Sequence, residues 1–336
     1  MHSPGHDAEE ELPTEILNPS LVEVEGDIID IFKLIKLIGR GGFGVVFCAF
    51  DLYHQRHVAL KIFRPDIRGE LSESELKQIR ANFLERFKKE RAILALLEHT
   101  NIARFYTDGH TDKGNPYFAM EYVPEIVGRV EQPGLPITKY CDGRKVPLDK
   151  RVQLIQTICE TVHDAHARPI VHRDLKPANI LISENRSSSP YKPIVKIVDF
   201  GLAKMGEGLS FTTSNLSHQF QGLGTPSYMP PEQAANGNFE VLSDIFSVGA
   251  VMFDLLTGTT PIFPFKDQEL KEFKLDAKEF FETHPIPKPS TRIQLMSRER
   301  ATAVASLMGL SRRKLIRSLK GDLDFIISKA LQLGGV

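Results

Sequence analysis

The segment VHRDLKPANIL crowds His172, Arg173, Asp174, Lys176 and Asn179 between apolar residues. A carboxylate in that setting can accept a hydroxyl proton, and Asp174 is the candidate. Further on, VKIVDFG sets Asp199 at the end of an apolar run, followed by Phe200 and Gly201. An aspartate at a strand end can reach a metal. Magnesium takes oxygen ligands and combines a carboxylate or two with substrate phosphates, and Asn179 can supply a second oxygen. Upstream, VALK sets Lys61 in an apolar strand. A lysine there is costly unless it is paired or touches phosphate. Glu90, in RFKKERAILALLEH, is a candidate partner; a surface lysine beside a solvated helix face is the competing reading.

The stretch GRGGFGVV, from Gly39, satisfies G-x-G-x-x-G. In a dinucleotide-binding unit the last glycine opens a helix. Here Val45, Val46 and Phe47 follow, and they are poor helix formers. The G-x-x-x-x-G-K-[ST] pattern of a P-loop is absent. The glycines are therefore expected to join two strands as a flap. Taken alone, the pattern fits a plain hairpin equally well.

The elements that must position these residues can be read from periodicity. IFKLIKLIG, VVFCAFD, HVALKIFR and PYFAMEYV predict strands, with one long helix between Leu71 and Leu97. Residues 1–27 are acidic and polar and predict a disordered tail. Pro124 to Pro147 carries Pro and Gly and reads as a hinge with an insertion. LDKRVQLIQTICETVHDAHA predicts an amphipathic helix with Val152, Ile155, Ile158, Cys159 and Val162 on its apolar face. NILI and VKIVDF predict short strands, and the rest is chiefly helical. EGLSFTTSNLSHQFQG is a long polar loop of the kind that usually serves function.

The composition is that of an ordinary globular chain: 336 residues, 41% hydrophobic and 25% charged, with a formal net charge of −1. No basic field argues for nucleic acid. Cys48, Cys141 and Cys159 are scattered without a CxxC, which indicates neither a zinc site nor a disulfide framework and predicts a cytoplasmic setting. IFSVGAVMFDLLTG is too short for a membrane span, carries Asp254, and reads as a buried helix. His163 and His166 have helical spacing but lack a third ligand, so a metal role is disfavoured. SRRKLIRSLK reads as a solvated amphipathic helix.

The glycine loop, VALK, HRD with its downstream Asn, and DFG occur in one order that resembles eukaryotic-type protein kinases. The resemblance covers roughly Ile28 to Leu331. HRDLKPAN and GTPSYMPPEQ resemble the serine/threonine branch. PITKYCDGRKVPLDKRVQL, KPSTR and LKGDLDFIISKAL are similar to the bacterial PknB-like group. The fold this implies is α+β and bilobal: an antiparallel-sheet N-lobe with one long helix over residues 28–121, a hinge at about 121–124, and a larger helical C-lobe over 122–336.

By resemblance, Gly39, Arg40, Gly41, Gly42, Phe43 and Gly44 cover the ATP phosphates. Lys61 contacts the phosphates and pairs with Glu90, and Asn179 and Asp199 hold Mg2+. Asp174 deprotonates the acceptor hydroxyl, Lys176 neutralises the γ-phosphoryl, and Thr225 contacts Asp174. Val46, Ala59 and Leu181 sandwich adenine. Met120 is the gatekeeper, and Glu121 to Val123 form the hinge. The implied partner is a protein substrate with a Ser or Thr hydroxyl, with a transient dimer for autophosphorylation at Thr212, Thr213, Ser214 or Ser217.

Two departures stand out. The family's APE is Pro230-Pro231-Glu232 here. The chain also stops at SKALQLGGV, where the family continues with a further arginine-bearing segment and a last helix. The C-terminal end thus reads as truncated, and a catalytically impaired pseudokinase or scaffold is the alternative function.

Overall fold

The computed structural model describes residues 23–41, 44–63, 87, 91, 94, 97–127, 130–185, 192–200, 226–230, 241–262 and 283–332. Its first part is a six-stranded sheet. The strands are β1 (Ile28–Ile29), β2 (Phe32–Gly41), β3 (Gly44–Asp51), β4 (Arg56–Phe63), β5 (Phe105–His110) and β6 (Pro116–Glu121). They run in the order β1-β2-β3-β4-β6-β5, and every pair is antiparallel. Alternation divides the faces. Phe47, Ala49, Val58, Leu60, Ile62 and Ala119 are buried together in one core. On the opposite face Phe63 and Phe118 meet the helical residue Phe87, whose ring stacks on Phe118 at 4.3 Å between centroids. Of the expected long helix, Phe87, Arg91 and Leu94 are described and helical, whereas Leu97 at its expected end is described and lies outside it.

Residues 23–27, expected to belong to the tail, are instead bonded into the sheet. Asn115 Nδ2 donates to Glu23 at 3.1 Å, Leu37 N to Glu25 at 2.9 Å, and Leu34 N to the Asp27 carbonyl at 2.8 Å. The acidic side chains that made this stretch look solvated are acceptors for the sheet's backbone and side-chain donors.

After β6 the hinge-and-insertion stretch forms a hairpin, β7 (Pro124–Val127) and β8 (Val130–Pro133), and then β9 (Leu135–Pro136). β9 joins β10 (Ile180–Asn185) and β11 (Lys192–Ile197) in a small sheet. That small sheet is tied to the large one. Ile197 N donates to the Asn101 carbonyl at 2.7 Å, Ala103 N to the Ile197 carbonyl at 2.9 Å, and Lys196 Nζ lies 2.7 Å from Glu121 Oε1.

The helices described are α1 (Ile137–Gly143), α2 (Leu148–His166), α3 (Val241–Thr257), α4 (Pro289–Leu295), α5 (Arg298–Leu307), α6 (Arg312–Leu319) and α7 (Asp322–Ala330). α3 is buried on nearly all sides, which explains why its sequence is apolar almost throughout. No helix among the described residues is long and apolar enough to cross a membrane. α2 buries Arg151, Leu154, Ile155, Ile158, Val162 and Ala165, whereas Cys159, expected on this face, is exposed. The stripe is rotated because Arg151 occupies the core. Its guanidinium donates to the carbonyls of Val146 and Leu255 and to Asp142, which satisfies the charge a periodicity argument would turn outward. α6 buries Leu315 and Leu319 and leaves Arg313, Lys314 and Arg317 in solvent, as expected. α7 is docked by Asp324, which accepts from Ser290 N and Oγ at 2.9 and 2.6 Å, while Phe325 and Ile326 stay exposed.

Candidate active site

Register sets one wall of the site. Lys61 on β4 stands opposite Val46 on β3 and Phe118 on β6, and Ala59 stands opposite Cys48 and Met120. Side chains directly opposite in an antiparallel pair share a face. Val46, Ala59, Lys61 and Met120 therefore line one surface. Val46 and Ala59 are half-buried, and Met120 is packed into the core. Leu181, also half-buried, stands on β10 opposite Lys196 and Pro136.

Two turns bring the polar groups. Asp174 and Asn179 lie between α2 and β10, and Asp199 follows β11. Lys61 Nζ lies 2.7 Å from Asp199 Oδ2, with the lysine side chain only 11% exposed. Lys176 Nζ lies 2.8 Å from Asp174 Oδ2. Asn179 Nδ2 donates to the Asp174 carbonyl at 2.8 Å and to Asp174 Oδ2 at 3.2 Å. With its nitrogen end spent on Asp174, the Asn179 amide presents its oxygen as the end available to a cation. A carboxylate and an amide oxygen form the hard-oxygen donor set that suits magnesium.

The two turns are stitched together. Val198 N donates to the Asn179 carbonyl at 2.9 Å, and His172 Nε2 donates to the Val198 carbonyl at 3.0 Å. His172 Nδ1 accepts from Asp174 N at 3.3 Å, so these bonds select the tautomer with its proton on Nε2. The His172 ring also rests on Phe200, with centroids 4.5 Å apart. Arg173 and Asp199 have φ of 72° and 62°, the left-handed region that non-glycine residues seldom occupy. Such strain persists only where the surroundings enforce it.

What enforces the Arg173 turn is a residue the sequence reading did not single out. Asp244, at the start of α3, is fully buried. Its carboxylate accepts from His172 N at 2.7 Å, Arg173 N at 2.8 Å and His166 Nε2 at 2.8 Å. The only signal in the sequence was an aspartate inside a strongly apolar helix. His166 is thus a partner of Asp244, and His163, paired with it by spacing, is exposed. Tyr228 is held on the same helix: its hydroxyl donates to Asp254 at 2.7 Å, and its carbonyl accepts from Ser247 Oγ at 3.0 Å. Burial pushes the Asp254 carboxyl above its usual range, partly offset by the Tyr228 hydrogen bond.

The glycine flap does join two strands, with β2 and β3 paired out to Gly41↔Gly44. Its glycines differ in kind. Gly44 has φ of 141°, and a Cβ there would lie 2.0 Å from the Ile62 carbonyl oxygen. A Cβ on Gly39 would meet only Val46, at an ordinary 3.7 Å. Gly44 is thus demanded by the chain's own backbone, and Gly39 is not. Glu121 sends its side chain to Lys196 and to Arg104 N, while Val123 turns its carbonyl to Gly134 N. Glu90, Gly42, Phe43, Thr225, Glu232 and the candidate phosphorylation sites Thr212, Thr213, Ser214 and Ser217 lie outside the described residues.

Residues 32–316 match the protein kinase domain family. Over 235 residues the chain is 32% identical to serine/threonine-protein kinase PknB of Mycolicibacterium smegmatis, covering 69% of this chain and 33% of that protein. It is 33% identical over 237 residues to the probable serine/threonine-protein kinase PknB of Corynebacterium glutamicum, covering 70% of this chain and 32% of that protein. The chain spans about a third of the length of these curated relatives. Among solved structures, the PknI kinase domain of Mycobacterium tuberculosis aligns with a TM-score of 0.52 at 18% identity, covering 89% of this chain and 98% of that one. The apo form of PpkA-294 aligns at 0.55 and 20%, covering 93% and 100%. These two likenesses concern the fold. The chain belongs to the protein kinase family. Within it, the chain falls in the eukaryotic-type serine/threonine branch and its PknB-like group.

Proposed function

We propose that this chain transfers the γ-phosphoryl group of ATP to serine or threonine hydroxyls of proteins, including hydroxyls of its own Thr212 to Ser217 loop. The observation that carries the reading is the convergence of Lys61 on Asp199, and of Lys176 and Asn179 on Asp174, from three separate elements. Five polar groups drawn together beside an apolar wall suit a nucleoside triphosphate better than any purely structural role.

In this reading residues 28–121 and 122–336 act as two lobes about a hinge at 121–124. Val46, Ala59 and Leu181 hold adenine, Met120 backs it, and the Glu121 to Val123 backbone meets its edge. The Gly39 to Gly44 backbone covers the phosphates, and Gly39, free of any steric need within the chain, leaves room for close approach. Lys61, paired with Asp199 here, turns to the α- and β-phosphates when ATP is present, and Glu90 becomes its partner. Asp199 and Asn179 hold a divalent cation, Mg2+. When bound, that ion neutralises phosphate charge and fixes the phosphate geometry.

Asp174 accepts the proton of the attacking hydroxyl as the new P–O bond forms and the bond from the γ-phosphorus to the bridging oxygen breaks, releasing ADP, with Lys176 beside it to offset charge on the transferring group. Asp244 and His172 hold Asp174 and its turn in place for that step. Thr225 selects an aliphatic hydroxyl. The test is incubation with Mg-ATP followed by mass-spectrometric mapping of phosphosites. Phosphoserine or phosphothreonine within residues 212–217 supports the reading, and a folded chain that gains no phosphate on itself or on a protein substrate overturns it.

A further inference from the structure

Beyond the hinge the chain makes a closed excursion. It leaves at Val123, runs out along β7 and back along β8, and closes where Gly134 N donates to the Val123 carbonyl at 2.7 Å. A Cβ on Gly134 would lie 2.9 Å from that carbonyl oxygen, so the closure is tight. The two strands stay in register from Pro124↔Pro133 to Val127↔Val130. An isolated two-stranded hairpin is marginal in water, so its contacts elsewhere decide its position.

Those contacts reach both lobes. At the base, Glu125 is buried and accepts from Arg144 at 3.0 Å; Arg144, just past α1, also lies 3.4 Å from Glu184 on β10. Ser183 Oγ donates to the Pro124 carbonyl at 2.8 Å. These partners all belong to the C-lobe. On the return strand, Glu131 Oε2 lies 3.3 Å from His57 Nδ1 on β4. By alternation His57 shares the face of Ala59 and Lys61, at the outer end of that row. Tyr122 joins the contact, its ring 6.0 Å from that of His57. Burial raises the Cys48 thiol and the Tyr122 phenol above their usual ranges, and the Glu131 charge adds to both shifts. The carboxylate thus sits close under the N-lobe sheet.

We propose that the β7–β8 hairpin is a strap between the lobes and that Glu131 is a positioning residue, acting through His57, that limits opening of the nucleotide cleft. A hinge of one strand lets two lobes rotate about it, and a second tether beside the hinge restricts that rotation. Only the nucleotide arm of this inference rests on the ATP reading. The pair is partly exposed, at 39% and 43%, so its effect is modest: about two- to fivefold in a dissociation rate.

The test uses the full chain with Cys159→Ser and spin labels at Tyr53→Cys and Ser306→Cys, both exposed sites on opposite lobes. Pulsed dipolar spectroscopy then reads the interlobe distance. Glu131→Lys is expected to broaden and lengthen the distribution at an unchanged melting temperature. Adding His57→Glu, which sets a carboxylate against the new lysine, is expected to narrow it again. A Glu131→Lys distribution identical to that of the parent overturns the strap. In the second arm, fluorescent ADP should leave Glu131→Lys about two- to fivefold faster, and the swapped pair should recover the slower rate. Equal rates overturn the positioning role. A parent chain that binds no nucleotide would remove the ATP reading and Glu131's nucleotide role with it, while the distances still decide the strap.

Discussion

Asp199 faces Lys61 at 2.7 Å and, in the proposed reading, offers its carboxylate to a cation beside the Asn179 oxygen. Asp199→Asn keeps shape and removes charge. Magnesium-dependent phosphoryl transfer should be lost with the melting temperature kept within a few degrees; wild-type turnover in the folded variant would remove Asp199 from the site. Asp244 works through other residues. Replacing it with Ala strips partners from the buried His172 N–H, at about 1–3 kcal/mol, and from the part-buried Arg173 N–H and His166. Against a net stability of about 5–15 kcal/mol, the C-lobe should be measurably weakened in a denaturant titration.

Asp51 gives the acid dependence. Burial pushes its carboxyl up, but hydrogen bonds from His54 N, His54 Nδ1 and Tyr53 N outweigh that and hold it below its usual value. A lowered folded pKa means stabilisation that is complete above the unfolded pKa of about 3.9 and is lost as pH falls through the folded one. The stability gap between wild type and Asp51→Asn should therefore shrink as pH falls below about 4. A gap that widens below about pH 4 would contradict the assignment.

At the scale of elements, the β2–β3 flap separates two uses of glycine. Gly44→Ala forces a Cβ into the Ile62 carbonyl at a φ of 141° and should cost about 1–3 kcal/mol of stability. Gly39→Ala has room and should fold as wild type, within about 0.5 kcal/mol. Its expected defect is weaker ATP binding by calorimetry. The opposite pattern, with Gly39→Ala unfolding and Gly44→Ala intact, would place the sheet differently from the register described.

The sequence disclosed four of the six strands of the sheet, β2, β3, β4 and β6, the amphipathic α2 and α6, and the buried α3 because period and burial agree there. It disclosed Lys61, Asp174, Asn179 and Asp199 because their chemistry is unusual for their apolar neighbourhoods. It hid what depends on distant partners. Arg151 is buried in α2 because carbonyls from Val146 and Leu255 meet it. Asp244 and His166 lie on separate helices, and no local pattern joins them. The β7–β8 hairpin was legible only as a Pro/Gly-bearing insertion, since pairing between Glu125 and Gln132 or Ile126 and Glu131 follows from register, not composition.

For the molecule as a whole, one buried helix and one small sheet hold the parts in relation. α3 carries Asp244 under the Asp174 turn and Ser247 and Asp254 under Tyr228, so two loops are referenced to one rigid body. β11 leads into Asp199, bonds Asn101 through Ile197 N, and pairs with Glu121 through Lys196. In the proposed reading, the position of the lobes and that of a metal ligand are thereby set by the same strand. Lys196→Ala should disturb both together, raising the KM for ATP. A fall in kcat with KM unaltered would separate the two.

Phosphoryl transfer, beyond nucleotide binding, is what the proposed function requires of this constellation. It is measured by incorporation of phosphate, labelled at the γ position of ATP, into the chain and into a Ser/Thr peptide, with and without magnesium, for wild type and Asp174→Asn. Incorporation is expected for the wild type only with magnesium, and none for a folded Asp174→Asn chain that still binds ATP. Magnesium-independent labelling, undiminished labelling by Asp174→Asn, or a wild type that binds Mg-ATP without transferring phosphate would contradict the proposed function.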